Sequence, residues 1–189
     1  MTRSVPETDY LEAILNANVY DVAIETPLQD APLLSGRIGN RLFLKREDLQ
    51  PIFSFKLRGA YNKMSRLPQA ALRRGVVAAS AGNHAQGVAL AAQRLGAKAT
   101  IVMPVTTPQI KVDSVAALGA TVVLEGDSYD DAYAEAMRIS GRRRFTYAAM
   151  PPIRPPPPTA TKIVSIGSRS WRRISIAIVP CPAITSTSS

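Results

Sequence analysis

Between about residues 75 and 147, short apolar runs alternate with alanine-rich stretches of helical period, and this pattern constrains the fold more than any other feature. Val76-Val77-Ala78-Ala79, Thr100-Ile101-Val102-Met103, Thr121-Val122-Val123-Leu124 and Phe145-Thr146-Tyr147 read as strands; Ala85 to Leu95, Ile110 to Leu118 and Tyr129 to Ser140 read as the helices between them. Gly96 and Gly119 stand where helices should stop, and Ser128 where one should start. Strands that alternate with helices form a parallel sheet with right-handed crossovers, so an α/β fold is expected. This stretch is long enough to bury a compact core of its own.

Upstream, Tyr10 to Asn18 reads as a helix, Thr26-Pro27-Leu28 and Arg41 to Lys45 as extended segments, and Phe55 to about Arg66 as a second helix. Leu57, Ala60, Tyr61 and Met64 recur there at helical spacing and anchor that helix to a core, with Ser54 as its expected N-cap. Downstream of Met150 the composition changes. The tail holds five basic residues and no acidic one, more than half of the net charge of +9, together with eight of the 15 prolines, the single Cys181 and the single Trp171. Pro155-Pro156-Pro157-Pro158 is extended by its fixed φ, and Thr185 to Ser189 is polar low complexity. Ile174 to Val179 alternates as a strand does, but its neighbours argue against a packed core, so residues 150–189 are expected to be a disordered tail.

Two short motifs carry chemistry. In Ser54-Phe55-Lys56-Leu57-Arg58-Gly59-Ala60 a lysine sits on the first turn of a helix beside an aromatic ring, the setting for an amine that must be held rigidly to react with an aldehyde. In Ser80-Ala81-Gly82-Asn83-His84-Ala85-Gln86-Gly87 small and hydrogen-bonding residues lie at a strand-to-helix turn, whose free N–H groups and dipole suit a carboxylate or phosphate. Each has a plainer reading: a lysine near a helix start is most often solvated, and Ser-x-Gly-Asn is a common turn composition. His84, the only histidine, reads as a capping or packing residue rather than a catalytic base.

Beyond these motifs, Tyr10 to Leu15, Val19 to Ala23, Thr26-Pro27-Leu28, Leu44-Lys45-Arg46-Glu47-Asp48-Leu49-Gln50-Pro51 and Ile101-Val102-Met103-Pro104 occur in an order that resembles the biosynthetic threonine dehydratases (threonine ammonia-lyases). The resemblance runs from about Tyr10 to Tyr147 and is most specific between Lys45 and Tyr61. It implies the small-domain fold of fold-type II pyridoxal-phosphate enzymes, with an incomplete large domain. The expected division is 1–66 as the N-terminal segment and lysine helix of that large domain, 67–149 as the small domain, and 150–189 as the tail. On the same grounds Lys56 would hold pyridoxal 5'-phosphate and remove the Cα proton of threonine, Phe55 would pack on the cofactor ring, and Asn83 would bond its 3′-oxygen. Ser80, Gly82, Asn83 and His84 would surround the substrate carboxylate. The implied reaction converts L-threonine to 2-oxobutanoate and ammonia, in isoleucine biosynthesis, by an enzyme that is a homo-oligomer in the family. The family's glycine-rich phosphate loop has no counterpart, since no run of glycines follows Gly141. Residues from about 148 onward are therefore read as an aberrant extension of a truncated chain.

Alternatives stay open: a serine dehydratase or racemase of the same fold type, an inactive fragment, or a nucleic-acid-binding protein acting through the basic tail. Sparse charges and no recognised binding fold argue against the last. No stretch approaches the eighteen or so apolar residues of a membrane span, the N-terminus lacks a signal-peptide apolar region, and one cysteine makes no internal disulfide. A cytoplasmic protein without a membrane partner is expected. One His and one Cys, far apart, make a poor metal site.

Overall fold

The computed structural model describes residues 10–143, 145–148, 163–166 and 174–178, the last two segments by their backbone. In chain order the elements are α1 (Tyr10–Leu15), β1 (Leu28–Asp30), α2 (Pro32–Ile38), β2 (Leu42–Lys45), α3 (Lys56–Ser65) and α4 (Gln69–Arg74). They continue with β3 (Val76–Ala79), α5 (Asn83–Leu95), β4 (Ala99–Met103), α6 (Gln109–Ala116), β5 (Thr121–Leu124), α7 (Tyr129–Arg143), β6 (Thr146–Tyr147), β7 (Ile163–Ile166) and β8 (Ile174–Ile178). The chain divides into two compact units, residues 1–22 with 56–149 and residues 23–55 with 150–189.

The first unit is built on a parallel sheet in the order β5-β4-β3-β6. From β3 the chain steps outward through β4 to β5, then returns past β3 to lay β6 on its other side. Right-handed crossovers in opposite directions put helices on both faces. One face buries Val76, Ala78, Ile101 and Met103 with Val88, Ala92 and Val115; the other buries Val77, Ala79 and Val102 with Ala132 and Ala136. Because β3 and β4 are covered twice, their residues form nearly unbroken apolar runs instead of an alternation.

Helix ends follow the expected chemistry. Gly96 closes α5 in the left-handed conformation at φ 63°, where a Cβ would be strained. At the start of α7 the Ser128 hydroxyl donates to Asp131 Oδ2 at 2.7 Å while the Asp131 N–H donates back to Ser128 Oγ at 3.2 Å, a reciprocal cap.

The two compact units separate before Lys56. Leu57, Ala60, Tyr61 and Met64 are buried, with Ala60, Tyr61 and Met64 in the same core as Ala85, Val88 and Ala92, so α3 packs with the βα repeat. The Tyr61 hydroxyl also donates to Asp21 at 2.7 Å, which ties the early chain to the same unit.

The second unit is an antiparallel sheet in the order β1-β2-β8-β7. Ile178 faces Leu42 and Ser175 faces Lys45 across the pairing of β8 with β2. Two segments of the tail are thus strands; the polyproline run, Trp171 and Cys181 lie outside the described residues. Short helices α2 and α4, which lack a long apolar period, were not expected; Pro32 sits at the start of the first and Pro68 caps the second.

Candidate active site

The carboxyl end of β3 is where the sheet's connectivity reverses, the position at which open α/β sheets bind ligands. The Ser80 N–H continues the ladder to the Val102 carbonyl at 3.0 Å, and the Gly82 N–H then folds back onto Ser80 Oγ at 3.3 Å. Helix α5 opens immediately afterwards at Asn83, and its N-cap Gly82 makes no side-chain cap hydrogen bond to the free N–H groups of the first turn. Gly82 is extended (φ −137°, ψ −154°), and a Cβ placed there would meet nothing within 4 Å. Neither backbone strain nor crowding within the chain calls for glycine at this position; the open space it leaves suits a ligand brought close to the backbone.

His84 Nε2 lies 2.8 Å from the carbonyl of Ala148, the residue just past β6. A carbonyl only accepts, so Nε2 carries the hydrogen and the neutral ring leaves Nδ1 as an acceptor; that nitrogen is buried with no hydrogen-bond partner. Burial is the main cause that holds the imidazole below its ordinary pKa; the Ala148 bond opposes it, and the charges of Lys56 and Lys63 add to it. The histidine is therefore neutral at physiological pH, and its donor is committed to tying the turn after β3 to the end of β6.

Lys56 is the first residue of α3 and is half-buried. Helix α5 meets it at Gly87, where a Cβ would stand 3.0 Å from the Lys56 carbonyl oxygen, 3.1 Å from its carbon and 3.3 Å from the Ala60 methyl. Lys56, Ser80, Gly82, Asn83 and His84 thus share the first unit, with lysine and turn carried on two helices in direct contact. Phe55 belongs to the second unit, where it is half-buried. The expectations from sequence did not include Gly87 or the Ala148 carbonyl. A glycine inside an otherwise alanine-rich helix is a signal that could have singled out the first; a backbone acceptor 64 residues from its donor leaves none.

Residues 19–151 match the family described as "Pyridoxal-phosphate dependent enzyme". The chain belongs to that family. Over 137 residues it is 65% identical to threonine dehydratase 1 biosynthetic, chloroplastic, of Solanum lycopersicum, covering 72% of this chain and 23% of the tomato enzyme. Among solved structures, the processed form of threonine deaminase isoform 2 from Solanum lycopersicum matches with a TM-score of 0.70 and 58% identity, over 73% of this chain and 40% of that one. Maize serine racemase matches with the same TM-score of 0.70 but 30% identity, over 74% of this chain and 43% of that one. The α/β fold is that of fold-type II pyridoxal-phosphate enzymes. The chain spans about a quarter of the length of the tomato dehydratase it matches.

The residues present fit the reacting end of such a cofactor. A half-buried lysine amine and an asparagine amide lie on contacting helices, next to a turn with open space above a glycine and a buried acceptor nitrogen that no protein group satisfies. Among the described residues no helix is long and apolar enough to cross a membrane, and no cluster of His, Cys, Asp and Glu could hold a metal.

Proposed function

We propose that this chain is the lysine-bearing part of a threonine ammonia-lyase, which converts L-threonine to 2-oxobutanoate and ammonia. Lys56 Nζ would be the attachment point for the aldehyde of pyridoxal phosphate, with Asn83 and Phe55 as the residues that would hold its ring. Ser80, Gly82, Asn83 and His84 hold the substrate carboxylate, chiefly through N–H groups at the start of α5, where the helix dipole favours an anion. When bound, the cofactor withdraws electrons from Cα. With the cofactor bound, Lys56 Nζ would accept the Cα proton as the neutral amine and hand it to the departing β-hydroxyl, which would leave as water. His84 is given no proton-transfer role, because its Nε2–H is held by Ala148 and burial disfavours protonation at the remaining Nδ1.

The observation that carries this reading is the lysine and the uncapped polar turn on two touching helices, together with the high identity to a threonine dehydratase. The same reading includes a place in isoleucine biosynthesis, a homo-oligomer and a cytoplasmic location, the last testable by fractionation because the tomato relative is named chloroplastic. Incubation of the chain with pyridoxal phosphate and L-threonine is expected to release 2-oxobutanoate, and Lys56→Ala to abolish the release. A serine racemase is the second reading, favoured by the equal TM-score of the maize enzyme. D-serine formed from L-serine, with no keto acid from threonine, would establish it instead.

A further inference from the structure

We propose that Gly87 is a positioning residue that sets the distance between Lys56 and the polar turn; the inference rests on the assignment of Lys56 as the reactive amine. Gly87 is buried in the interior of α5 and does not have a positive φ, so its lack of a side chain is not required by backbone conformation. Alanine would suit the helix better. Space is the reason for glycine. Two of the three atoms that a Cβ would crowd, at 3.0 and 3.1 Å, are the Lys56 carbonyl oxygen and carbon, backbone atoms that cannot swing aside. A methyl at residue 87 must therefore displace the first residue of α3 by a few tenths of an ångström.

The displaced residue carries the amine, and the displacing helix carries the turn. Gly87 lies four residues after Asn83 and three after His84, so the face of α5 that touches the Lys56 carbonyl bears both one turn earlier. One contact without a side chain thus joins both motifs and fixes their separation. Gly59, within α3 itself, is the matched control: it is also helical, and a Cβ there would meet nothing within 4 Å.

The test compares wild type, Gly87→Ala and Gly59→Ala in the full chain by two readouts. The first is the fraction of Lys56 converted to pyridoxyl-lysine by borohydride after subsaturating pyridoxal phosphate, read by peptide mass spectrometry. The second needs no cofactor: the carbonyl-carbon NMR resonance of Lys56. Gly87→Ala is expected to cut incorporation at Lys56 about tenfold and to shift its carbonyl resonance, whereas Gly59→Ala changes neither. If Gly87→Ala does not fold, both readouts are taken on Ala60→Gly/Gly87→Ala, where loss of the Ala60 methyl gives the helices room to slide. A folded Gly87 variant with wild-type incorporation and an unmoved resonance overturns the inference. If wild type does not incorporate the cofactor while Gly87→Ala alone moves the resonance, the contact stands and the enzymatic assignment of Lys56 fails.

Discussion

The single histidine is chemically the most conspicuous side chain of the polar turn, yet its geometry removes it from acid–base work. Its Nε2–H is spent on the Ala148 carbonyl and burial keeps the ring uncharged. Since its folded-state pKa lies below the ordinary 6.5, the unfolded chain takes up a proton first as pH falls through 6.5. The unfolded state then binds more protons, so stability declines as pH falls below about 7 and levels off once the folded ring protonates as well. Urea denaturation across that range should show the decline, and His84→Gln should flatten its histidine component; an unchanged pH slope in the variant contradicts the assignment. Tyr147 behaves in the opposite sense. Burial first, then its bond to Tyr129, pushes its hydroxyl up to about 12, so it is a packing residue across the ordinary range and its ring meets Tyr133 edge-on at 5.5 Å. Phe53, exposed and left-handed at φ 55°, is the one described non-glycine residue with positive φ, a conformation that disfavours a bulky side chain.

Among the elements, the segment from Lys45 to Pro51, which opens the most family-specific run of Lys45 to Tyr61, forms a hydrogen-bonded staple. Gln50 is 1% exposed; its amide oxygen accepts from the Ile24 N–H at 3.0 Å and its NH2 donates to the Ile24 carbonyl at 2.9 Å. Glu47, also buried, accepts from the Thr26 hydroxyl at 2.5 Å and from Gln50 at 3.2 Å, while Lys45 Nζ donates to the Thr26 carbonyl. Gln50→Ala should therefore destabilise the second unit by about 2–4 kcal/mol, since it removes the side-chain partner of the Ile24 N–H and carbonyl and one of the donors to the buried Glu47. Loss of amide-exchange protection at Ile24 is the direct reading; retained protection there excludes the staple. The strands and helices of the βα repeat were legible because each is an apolar run or a helical period ended by glycine, as Val76–Ala79 and the Gly96 cap show. The packing of α3 was not, because it depends on a missing side chain at Gly87. Pairing of β8 with β2 was equally hidden: alternation identifies a strand but not its partner.

For the whole molecule, two units account for the chain, and Tyr10, Leu11, Ile14 and Leu15 are each more than 60% exposed. The strand-to-helix turn after β3 was legible from residue types alone; the reversal of strand order beside it was not, since it depends on where β6 is laid. The central claim is that the first unit alone presents the Lys56 amine to an aldehyde beside the turn at Asn83. The most direct measurement is absorbance of the purified chain with pyridoxal phosphate, followed by borohydride and peptide mapping. A shifted cofactor band that reduction fixes on Lys56, and that Lys56→Ala lacks, is the predicted result. Label spread over surface lysines alike in wild type and variant would contradict it.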